Sequence, residues 1–361
     1  MLYMPKPAIH QFGANLSFGD AISNDMLEIQ VSLMKMGYDS KIYAQYMDPR
    51  MAKHFNLFTA YQGDPKNIIL FHASIGGDVF DWVKKLVDKK ILIYHNITPA
   101  DYFRGYNEHL ANLLAQGPNK VKEIEPHVAF AVGDSDFNRR DLVKLGFPEE
   151  KTDTLPIFVD FQKYDKPINR SLEVQLKTDD IKNILFVGRF APNKAHADLI
   201  KAFYIYHRYF NQKSRLILIG SHDGLETYYL RLKKLIEILE LEYHVILGDQ
   251  VSFDDLATYY KTADLFLSMS EHEGFLVPIL ECFHLGIPVL AYRAGAVPET
   301  MGQGGVIFDT KDYGQVAEAM DQILTNSNLR NGIIGKQKER LKDFSRDRIE
   351  QKLQEVINHA L

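Results

Sequence analysis

Short apolar runs alternate with amphipathic segments along the chain, most regularly in its second half. Five runs there are short, apolar and nearly free of charge, which is typical of buried strands. The segments between them repeat apolar residues at intervals of three and four, which is typical of helices packed on a sheet. The predicted strands are 183–187, 215–220, 244–247, 263–269 and 287–292, and the helices are 196–209, 226–239 and 253–262. This alternation predicts a parallel sheet covered by helices.

The first half shows the same alternation less regularly. Its predicted strands are 7–12, 40–44, 67–72, 90–95 and 128–132, and its helices are 22–36, 78–88 and 137–145. The pattern changes around Pro156, and after Asp160 the chain is polar up to Lys182, which is the composition of a linker. We therefore predict two Rossmann-like α/β domains, over 1–165 and 166–345, followed by a helix at 346–361.

Composition narrows the classes of function. The protein has 361 residues, of which 46% are hydrophobic and 25% charged, as in globular proteins. A net charge of −5 argues against nucleic-acid binding, which needs a basic face. The single cysteine, Cys282, excludes an internal disulfide framework and a cysteine-based zinc cluster. It lies in an apolar helix, which favours a role in the core.

The sequence also carries an expectation about location. No apolar run approaches the roughly 18 residues of a membrane span, and the first residues lack a charged-then-apolar leader. We therefore expect a cytoplasmic protein. The lysine-rich helix 78–88 has two interpretations: an amphipathic helix that covers a sheet, or a peripheral contact with the anionic inner membrane surface.

Two acidic residues bracket the start of a short helix after the strand 263–269. Glu273 lies in the loop, Pro278 occupies the first helical position, and Glu281 follows in the first turn. Carboxylates accept hydrogen bonds from paired hydroxyls, and a helix N-terminus attracts anions. Gly274 leaves the backbone between them approachable. The plainer alternative is that Glu281 favours the helix dipole and that Glu273 is solvated.

Further candidates lie in loops after other predicted strands. Arg189 and Lys194 follow the strand 183–187 and could reach one diphosphate, although such residues are often only surface charges. His95 ends the strand 90–95, so we expect it at the edge of a cleft, where it could bind a sugar hydroxyl or serve structure alone. The loop after the first strand contains three more candidates, which either approach a ligand or only form the turn: Gly13, Gly19 and Asp20.

The string EHEGFLVPILE resembles the Glu-x7-Glu signature of family 4 of the retaining glycosyltransferases, which have the GT-B fold. Gly188 to Lys194 resembles the Gly-Arg…Lys element of the same family. The resemblance implies that Glu273 contacts the transferred sugar and that Glu281 binds the ribose hydroxyls of the nucleotide. It also implies that Arg189 and Lys194 neutralise the leaving diphosphate.

The resemblance extends to other positions. It implies that His95 reaches the donor sugar, that the loop from Gly13 to Asp20 faces the donor phosphates or the acceptor, and that the last helix crosses back onto the first domain. One departure is Leu276, where the family often has glycine. The further positions that it places around the donor are Gly188, Val251, Gly274, Phe275 and Leu276.

We therefore interpret the chain as a retaining glycosyltransferase that needs no metal or cofactor. Its donor would be a nucleoside diphosphate sugar, with GDP-mannose as the best candidate. Its acceptor would be a hydroxyl of a saccharide or lipid-linked molecule in surface polysaccharide or glycolipid assembly. A catalytically silent nucleotide-sugar-binding protein of the same fold is the alternative. A dinucleotide-dependent oxidoreductase is disfavoured, because neither half has a Gly-x-Gly-x-x-Gly loop between strand and helix.

Overall fold

The computed structural model of the protein describes residues 6–165, 167–177 and 180–361. Within them the chain forms two compact units. The first comprises the chain up to Asp101, His109–Asp160 and Phe344–Leu361, and the second comprises Tyr102–Glu108 and Phe161–Asp343. The domain boundary between 165 and 166 stays a prediction, because residue 166 lies outside the described residues, as do 178 and 179 of the polar stretch.

A seven-stranded parallel sheet forms the first unit, in the order β3-β2-β1-β4-β5-β6-β7. Its strands are β1 (Ile9–Leu16), β2 (Ile42–Met47), β3 (Phe55–Leu57), β4 (Ile68–Ala73), β5 (Lys89–Tyr94), β6 (Phe130–Gly133) and β7 (Thr152–Thr154). Its first helices are α1 (Ala21–Lys35), α2 (Val79–Lys85), α3 (Glu108–Ile124) and α4 (Asp136–Lys144). The strand order reverses between β1 and β4, which is where open parallel sheets bind their ligands.

A six-stranded parallel sheet forms the second unit, in the order β10-β9-β8-β11-β12-β13. Its strands are β8 (Lys182–Val187), β9 (Ser214–Ile219), β10 (Val245–Gly248), β11 (Leu265–Ser268), β12 (Val289–Tyr292) and β13 (Val306–Phe308). Its helices are α5 (Arg170–Leu176), α6 (His196–Tyr209), α7 (Glu226–Ile238), α8 (Phe253–Lys261), α9 (Pro278–Leu285), α10 (Val297–Met301), α11 (Tyr313–Thr325) and α12 (Ser327–Leu341). Cys282 is buried in α9, and burial raises the pKa of its thiol well above the ordinary value, which agrees with a core role.

The last helix, α13 (Arg346–Asn358), packs into the first unit. Its apolar stripe is completely or almost completely buried and joins the core that the strands β1, β4 and β5 form. The buried residues of this stripe are Ile349, Leu353, Val356 and Ile357. At its polar edge, Lys352 pairs with Asp153 of β7 at 2.5 Å. The chain therefore returns to its first sheet after completing the second.

The segment Tyr102–Glu108, here called the arm, belongs to the second unit although first-unit residues flank it in sequence. The Asn107 side chain donates a hydrogen bond to the Gly224 carbonyl at 2.9 Å. Arg231 of α7 donates to the Tyr106 hydroxyl at 2.8 Å, and its guanidinium lies 4.9 Å from the centre of that ring. The arm is thus held by hydrogen bonds and by a cation–π contact.

In the described part of the chain, none of the helices has both the length and the apolar character to cross a membrane.

Candidate active site

Lys194 and Glu273 form a close ion pair in the second unit. Lys194 ends a short 3-10 helix, Pro192–Lys194, in the loop between β8 and α6. Its Nζ atom lies 2.7 Å from each carboxylate oxygen of Glu273, which lies in the loop between β11 and α9. Glu273 is buried, whereas the Lys194 side chain remains 20% exposed. An ammonium group has three donors, so Lys194 can hold Glu273 and still bind an anion.

The backbone at Glu273 is fixed by contacts that sequence reasoning missed. The Ala296 N–H donates to the Glu273 carbonyl at 2.9 Å, and Gly295 before it has a φ of +52°. A Cβ atom at Gly295 would lie only 2.2 Å from the Glu273 carbonyl oxygen, so this approach requires glycine. On the other side of the loop, the Asn193 side chain donates to the His272 carbonyl at 3.3 Å. These partners lie far apart in sequence, so spacing gave no signal for them.

The second predicted acidic residue, Glu281, lies in the first turn of α9 and is held by two tyrosines. The Tyr164 hydroxyl donates to Oε1 at 2.5 Å, and the Tyr260 hydroxyl donates to Oε2. The Lys163 Nζ atom lies 3.6 Å from Oε1. Only 9% of the Glu281 side-chain surface is exposed. The polar composition of 161–182 gave no reason to expect that Tyr164 would be buried in the second unit.

The basic loop after β8 packs against the loop after β9. A Cβ atom at Gly220 would lie 2.1 Å from the Gly188 carbonyl oxygen, so the two backbones touch. Arg189 follows, and its Nη2 atom donates to the Asp223 carbonyl at 2.8 Å. Arg189 and Lys194 thus lie on one loop with different partners. Val251, also predicted at the donor, is half-buried between β10 and α8.

The loop into α9 has an unusual backbone at the position where the sequence departs from the family that it resembles. Leu276 has a φ of +68°, a left-handed conformation that costs a non-glycine residue about 1–3 kcal/mol. Its side chain is buried, as is that of Phe275, whose carbonyl accepts a hydrogen bond from Thr300 at 2.6 Å. Gly274 lies beside them in the same loop. The conformation explains a preference for glycine at position 276, and the leucine gives this wall more bulk.

His95 lies in the first unit and is not exposed, contrary to our expectation for a cleft edge. Its side chain retains 1% of its surface. Both ring nitrogens have partners: Nδ1 lies 2.9 Å from Asp134 Oδ2, and Nε2 lies 2.7 Å from His72 Nδ1. His72 Nε2 in turn lies 3.0 Å from Gln11 Oε1. In this arrangement His95 is part of a buried relay, and its contact with a sugar stays a prediction.

The proton count of this relay follows from its ends. The Gln11 amide nitrogen donates to the Met26 carbonyl, so its oxygen faces His72 and accepts the Nε2 proton. Three consecutive hydrogen bonds from Asp134 to Gln11 need three protons, whereas two neutral imidazoles supply two. The Asp134–His95–His72 group therefore holds one proton more than an ionised Asp134 and two neutral imidazoles would hold together. Burial opposes charge on His95, but Asp134 outweighs it and the pKa of His95 rises, whereas burial and His95 lower the pKa of His72 well below its usual value.

Asp25 of α1 completes this cluster. It is buried, and its carboxylate accepts the Phe158 N–H at 2.8 Å. Burial raises the pKa of Asp25 to about 7, with Asp134 adding to and His95 opposing the shift. One oxygen of Asp25 and one ring nitrogen each of His72 and His95 lie within 4.8 Å of one another. The 2.7 Å between the two imidazole nitrogens is a hydrogen-bond distance, so the cluster is organised for a proton.

The residues Gly133-Asp134-Ser135 at the end of β6 serve both a helix cap and the buried His95 cluster. Ser135 does cap α4 through the Asn138 N–H. Asp134 instead serves His95, and Asp136 pairs with Arg139 at 2.7 Å. The two carboxylates of this Asp-Ser-Asp segment therefore have separate partners.

The glycine loop of the first unit has mainly local roles. Gly13 lies within β1, between Ala44 of β2 and His72 of β4. Gly19 has a φ of +76°, which suits a turn. Asp20 caps α1 by accepting the Ser23 N–H and hydroxyl, each at 2.9 Å. These contacts match the structural alternative for the loop, and ligand binding by its residues stays a prediction.

Comparison with solved structures defines the class of fold. Anabaena HepE, solved in complex with UDP-glucose, superposes with a TM-score of 0.77 at 16% identity, over 97% of this chain and 99% of that one. The structural neighbours are GT-B glycosyltransferases, and the two parallel sheets agree with them. The chain thus has the predicted GT-B fold.

Sequence comparison agrees with the fold. Residues 168–340 match the family model of glycosyl transferases group 1. The chain is 26% identical to N-acetyl-alpha-D-glucosaminyl L-malate synthase of Bacillus anthracis, over 79% of this chain and 72% of the relative. It is also 26% identical to O-antigen chain mannosyltransferase B of Escherichia coli, over 58% of this chain and 55% of that relative. The resemblance to glycosyltransferases is confirmed, and glycosyltransferase activity is supported.

Proposed function

We propose that the protein is a retaining hexosyltransferase that uses a nucleoside diphosphate sugar. The observation that carries the proposal is the grouping of Lys194, Glu273 and Glu281 around the start of α9 in a group 1 glycosyltransferase domain. Lys194 has an exposed fraction and a remaining donor for a diphosphate oxygen. Glu273 would meet the sugar, and Glu281 the ribose.

In the proposed reaction, the bond from the anomeric carbon to the diphosphate breaks, and a bond to the acceptor oxygen forms on the same face. The acceptor proton passes to the departing diphosphate. Arg189 and Lys194 stabilise the charge that develops on this leaving group, which is the task of preorganised cations in phosphoryl sites. With two cations available, we propose that no divalent metal or other cofactor is required.

GDP-mannose is the proposed donor, with a mannosyl group passing to a saccharide or lipid-linked hydroxyl. This finer assignment is supported by the names of relatives, which include O-antigen chain mannosyltransferase B and a GDP-mannose-dependent mannosyltransferase of Mycobacterium tuberculosis that acts on phosphatidylinositol monomannoside. Anabaena HepE was solved with UDP-glucose, so uridine nucleotides belong in any test. We further propose a cytoplasmic location with a peripheral membrane contact through the lysine-rich helix α2.

A calorimetric titration of two glutamate variants, combined with a transfer assay, tests whether Glu281 binds the nucleotide while Glu273 acts on the sugar. Removing a charged hydrogen-bond partner costs roughly 1.5–3 kcal/mol, or about tenfold to hundredfold in affinity. Glu281→Ala should therefore weaken binding of free GDP or UDP by that factor. Glu273→Ala should leave nucleotide affinity nearly unchanged and depress transfer. Glu237→Ala, at an exposed site on α7, is the control.

Equal loss of nucleotide affinity in both glutamate variants would contradict the assignment. Tight nucleotide binding without transfer to any acceptor would favour the alternative of a silent binding protein. Transfer assayed with excess EDTA and with added magnesium tests the metal-free proposal. Activity that disappears with EDTA and returns with magnesium would refute it.

A further inference from the structure

The carboxylate of Glu281 is oriented by two phenol groups from separate elements. Tyr164 lies on the 3-10 helix Gln162–Asp165, and Tyr260 lies on α8. Each hydroxyl donates to a different oxygen of Glu281. An ionised carboxylate has about four acceptor positions, two on each oxygen. One position on each oxygen therefore remains for another donor.

The tyrosines are themselves rigidly placed. Both are completely buried, and their rings meet edge to face with centroids 5.6 Å apart. Phe253 packs on Tyr164 from 5.2 Å. Burial raises the pKa of Tyr260 well above its usual value and the Glu281 charge adds to this, so the hydroxyl keeps its proton and can only donate to the carboxylate. The plane of the carboxylate is thus set by side chains that cannot turn freely.

We propose that Tyr164 and Tyr260 are positioning residues that aim the two remaining acceptor positions of Glu281 at the adjacent 2′ and 3′ hydroxyls of a ribose. This inference rests on the proposed function, in which Glu281 binds the nucleotide. It adds a selectivity: the site distinguishes a ribonucleoside diphosphate from its 2′-deoxy analogue through the orientation of one carboxylate. The Lys163 Nζ atom lies 3.6 Å from Oε1, which is beyond hydrogen-bond distance. Lys163 therefore adds positive charge near Glu281 but does not fix the orientation of its carboxylate.

A purely structural role would give the same contacts, because a buried carboxylate needs donors wherever it lies. The two roles differ in one measurable quantity, the ratio of affinities for the ribo and 2′-deoxy forms of one nucleotide. A structural role changes both affinities together through the fold. A positioning role lowers the ribo affinity more than the 2′-deoxy affinity, because the 2′-deoxy form has only its 3′ hydroxyl bond to lose.

The experiment measures Kd by calorimetry for GDP, 2′-deoxy-GDP, UDP and 2′-deoxy-UDP with the full-length protein and the variants Tyr164→Phe and Tyr260→Phe. Wild-type protein should prefer the ribo form by roughly tenfold to hundredfold, the effect of one charge-assisted hydrogen bond. Each variant should reduce this preference to threefold or less. Tyr206→Phe is the matched control, since Tyr206 is equally buried in the second unit and its hydroxyl has no hydrogen-bond partner among the described residues.

Three outcomes separate the possibilities. If wild-type protein discriminates and both phenylalanine variants do so equally well, the inference is wrong while the proposed function stands. If a folded variant loses ribo and 2′-deoxy affinity by the same factor, the tyrosines are structural and the inference is again wrong. If wild-type protein binds neither GDP nor UDP, both the inference and the proposed function are wrong. Either variant alone decides the matter, so Tyr164→Phe serves should Tyr260→Phe fail to fold by circular dichroism.

Discussion

Glu273 and Glu281 are buried carboxylates in the same loop-and-helix segment, yet their partners differ in kind. Glu273 is held by the charged ammonium of Lys194, and Glu281 by neutral phenols and a more distant lysine. Removing a charged partner leaves a buried charge uncompensated, whereas removing a phenol leaves an unfilled acceptor position. The sequence spacing of the two glutamates gave no indication of this difference.

Lys194→Ala should therefore lower both turnover and stability. Turnover should fall by roughly two to four orders of magnitude if Lys194 stabilises the leaving group. The free energy of unfolding should fall by about 2–3 kcal/mol, because Glu273 would remain buried without its partner. The loss is smaller than for a fully buried pair, since the Lys194 side chain is 20% exposed. The double variant Lys194→Ala/Glu273→Gln removes both charges, so it should regain stability in urea unfolding but not turnover. Recovery of turnover in the double variant would assign Lys194 a structural role only.

The carboxyl of Asp25 makes the first unit sensitive to pH. Its pKa is about 7 in the fold, against an ordinary 3.8, so between these values the folded state keeps a proton that the unfolded state releases. The contribution of Asp25 to stability is therefore full below pH 4 and declines as pH rises towards 7. Asp25→Asn retains an oxygen for the Phe158 N–H and removes this titration.

The stability of Asp25→Asn relative to wild type should thus increase from pH 4 to pH 7, by about 1.4 kcal/mol for each unit. The single tryptophan, Trp82, lies on α2 of the first unit, so its fluorescence in urea reports this unfolding. Both proteins retain His72 and His95, so their difference at each pH reports Asp25 together with its interaction with His95. A constant difference across this range would show that Asp25 is ionised throughout.

At the scale of elements, the apolar pattern predicted the sheets better than their edges. Strands such as β4 and β5 are buried on both faces for most of their length, so each contains an apolar run, at 68–71 in β4 and at 91–94 in β5. The short edge strands β3 and β7 have three residues each and gave no such pattern. Helix α3 was missed because Gly117-Pro118 interrupts its sequence, yet it continues through the proline.

The sequence predicted some residues of the candidate site and missed others. Motif spacing identified Glu273, Glu281 and Lys194, which lie close to one another in sequence or on adjoining loops. It could not identify Tyr164 or Gly295, because their contacts depend on how distant segments fold together. Spacing also placed His95 correctly at the end of β5 but could not show that Asp134 and His72 enclose it.

Helix α13 offers a test at this scale, since its apolar stripe is part of the first core. Leu353 is fully buried there, so Leu353→Ala should cost about 2–5 kcal/mol. Glu355→Ala, on the exposed side of the same helix, should change stability by less than about 0.5 kcal/mol. Urea unfolding followed through Trp82 measures both. A Leu353 variant as stable as the control would mean that α13 does not contribute to the stability of the first unit.

At the scale of the whole molecule, the order of residues along the chain differs from their membership in the two units. The arm leaves the sequence of the first unit to join the second, and α13 leaves the second to join the first. Neither unit is therefore encoded by one uninterrupted stretch of sequence. A fragment that begins at Phe161 would lack the arm and its contacts with Gly224 and Arg231.

The position of the arm constrains recombination between related enzymes. A hybrid that takes residues 161–343 from a second parent has Tyr106 and Asn107 from one parent and their partners, Gly224 and Arg231, from the other. We expect such a hybrid to lose thermal stability, and to regain it when residues 102–108 are replaced with those of the parent that supplies the second unit. Melting temperatures of the two hybrids measure this, and equal values would show that the arm is interchangeable. If the repaired hybrid is the more stable one, inheritance of an intact second unit requires that two separated pieces of the gene stay together.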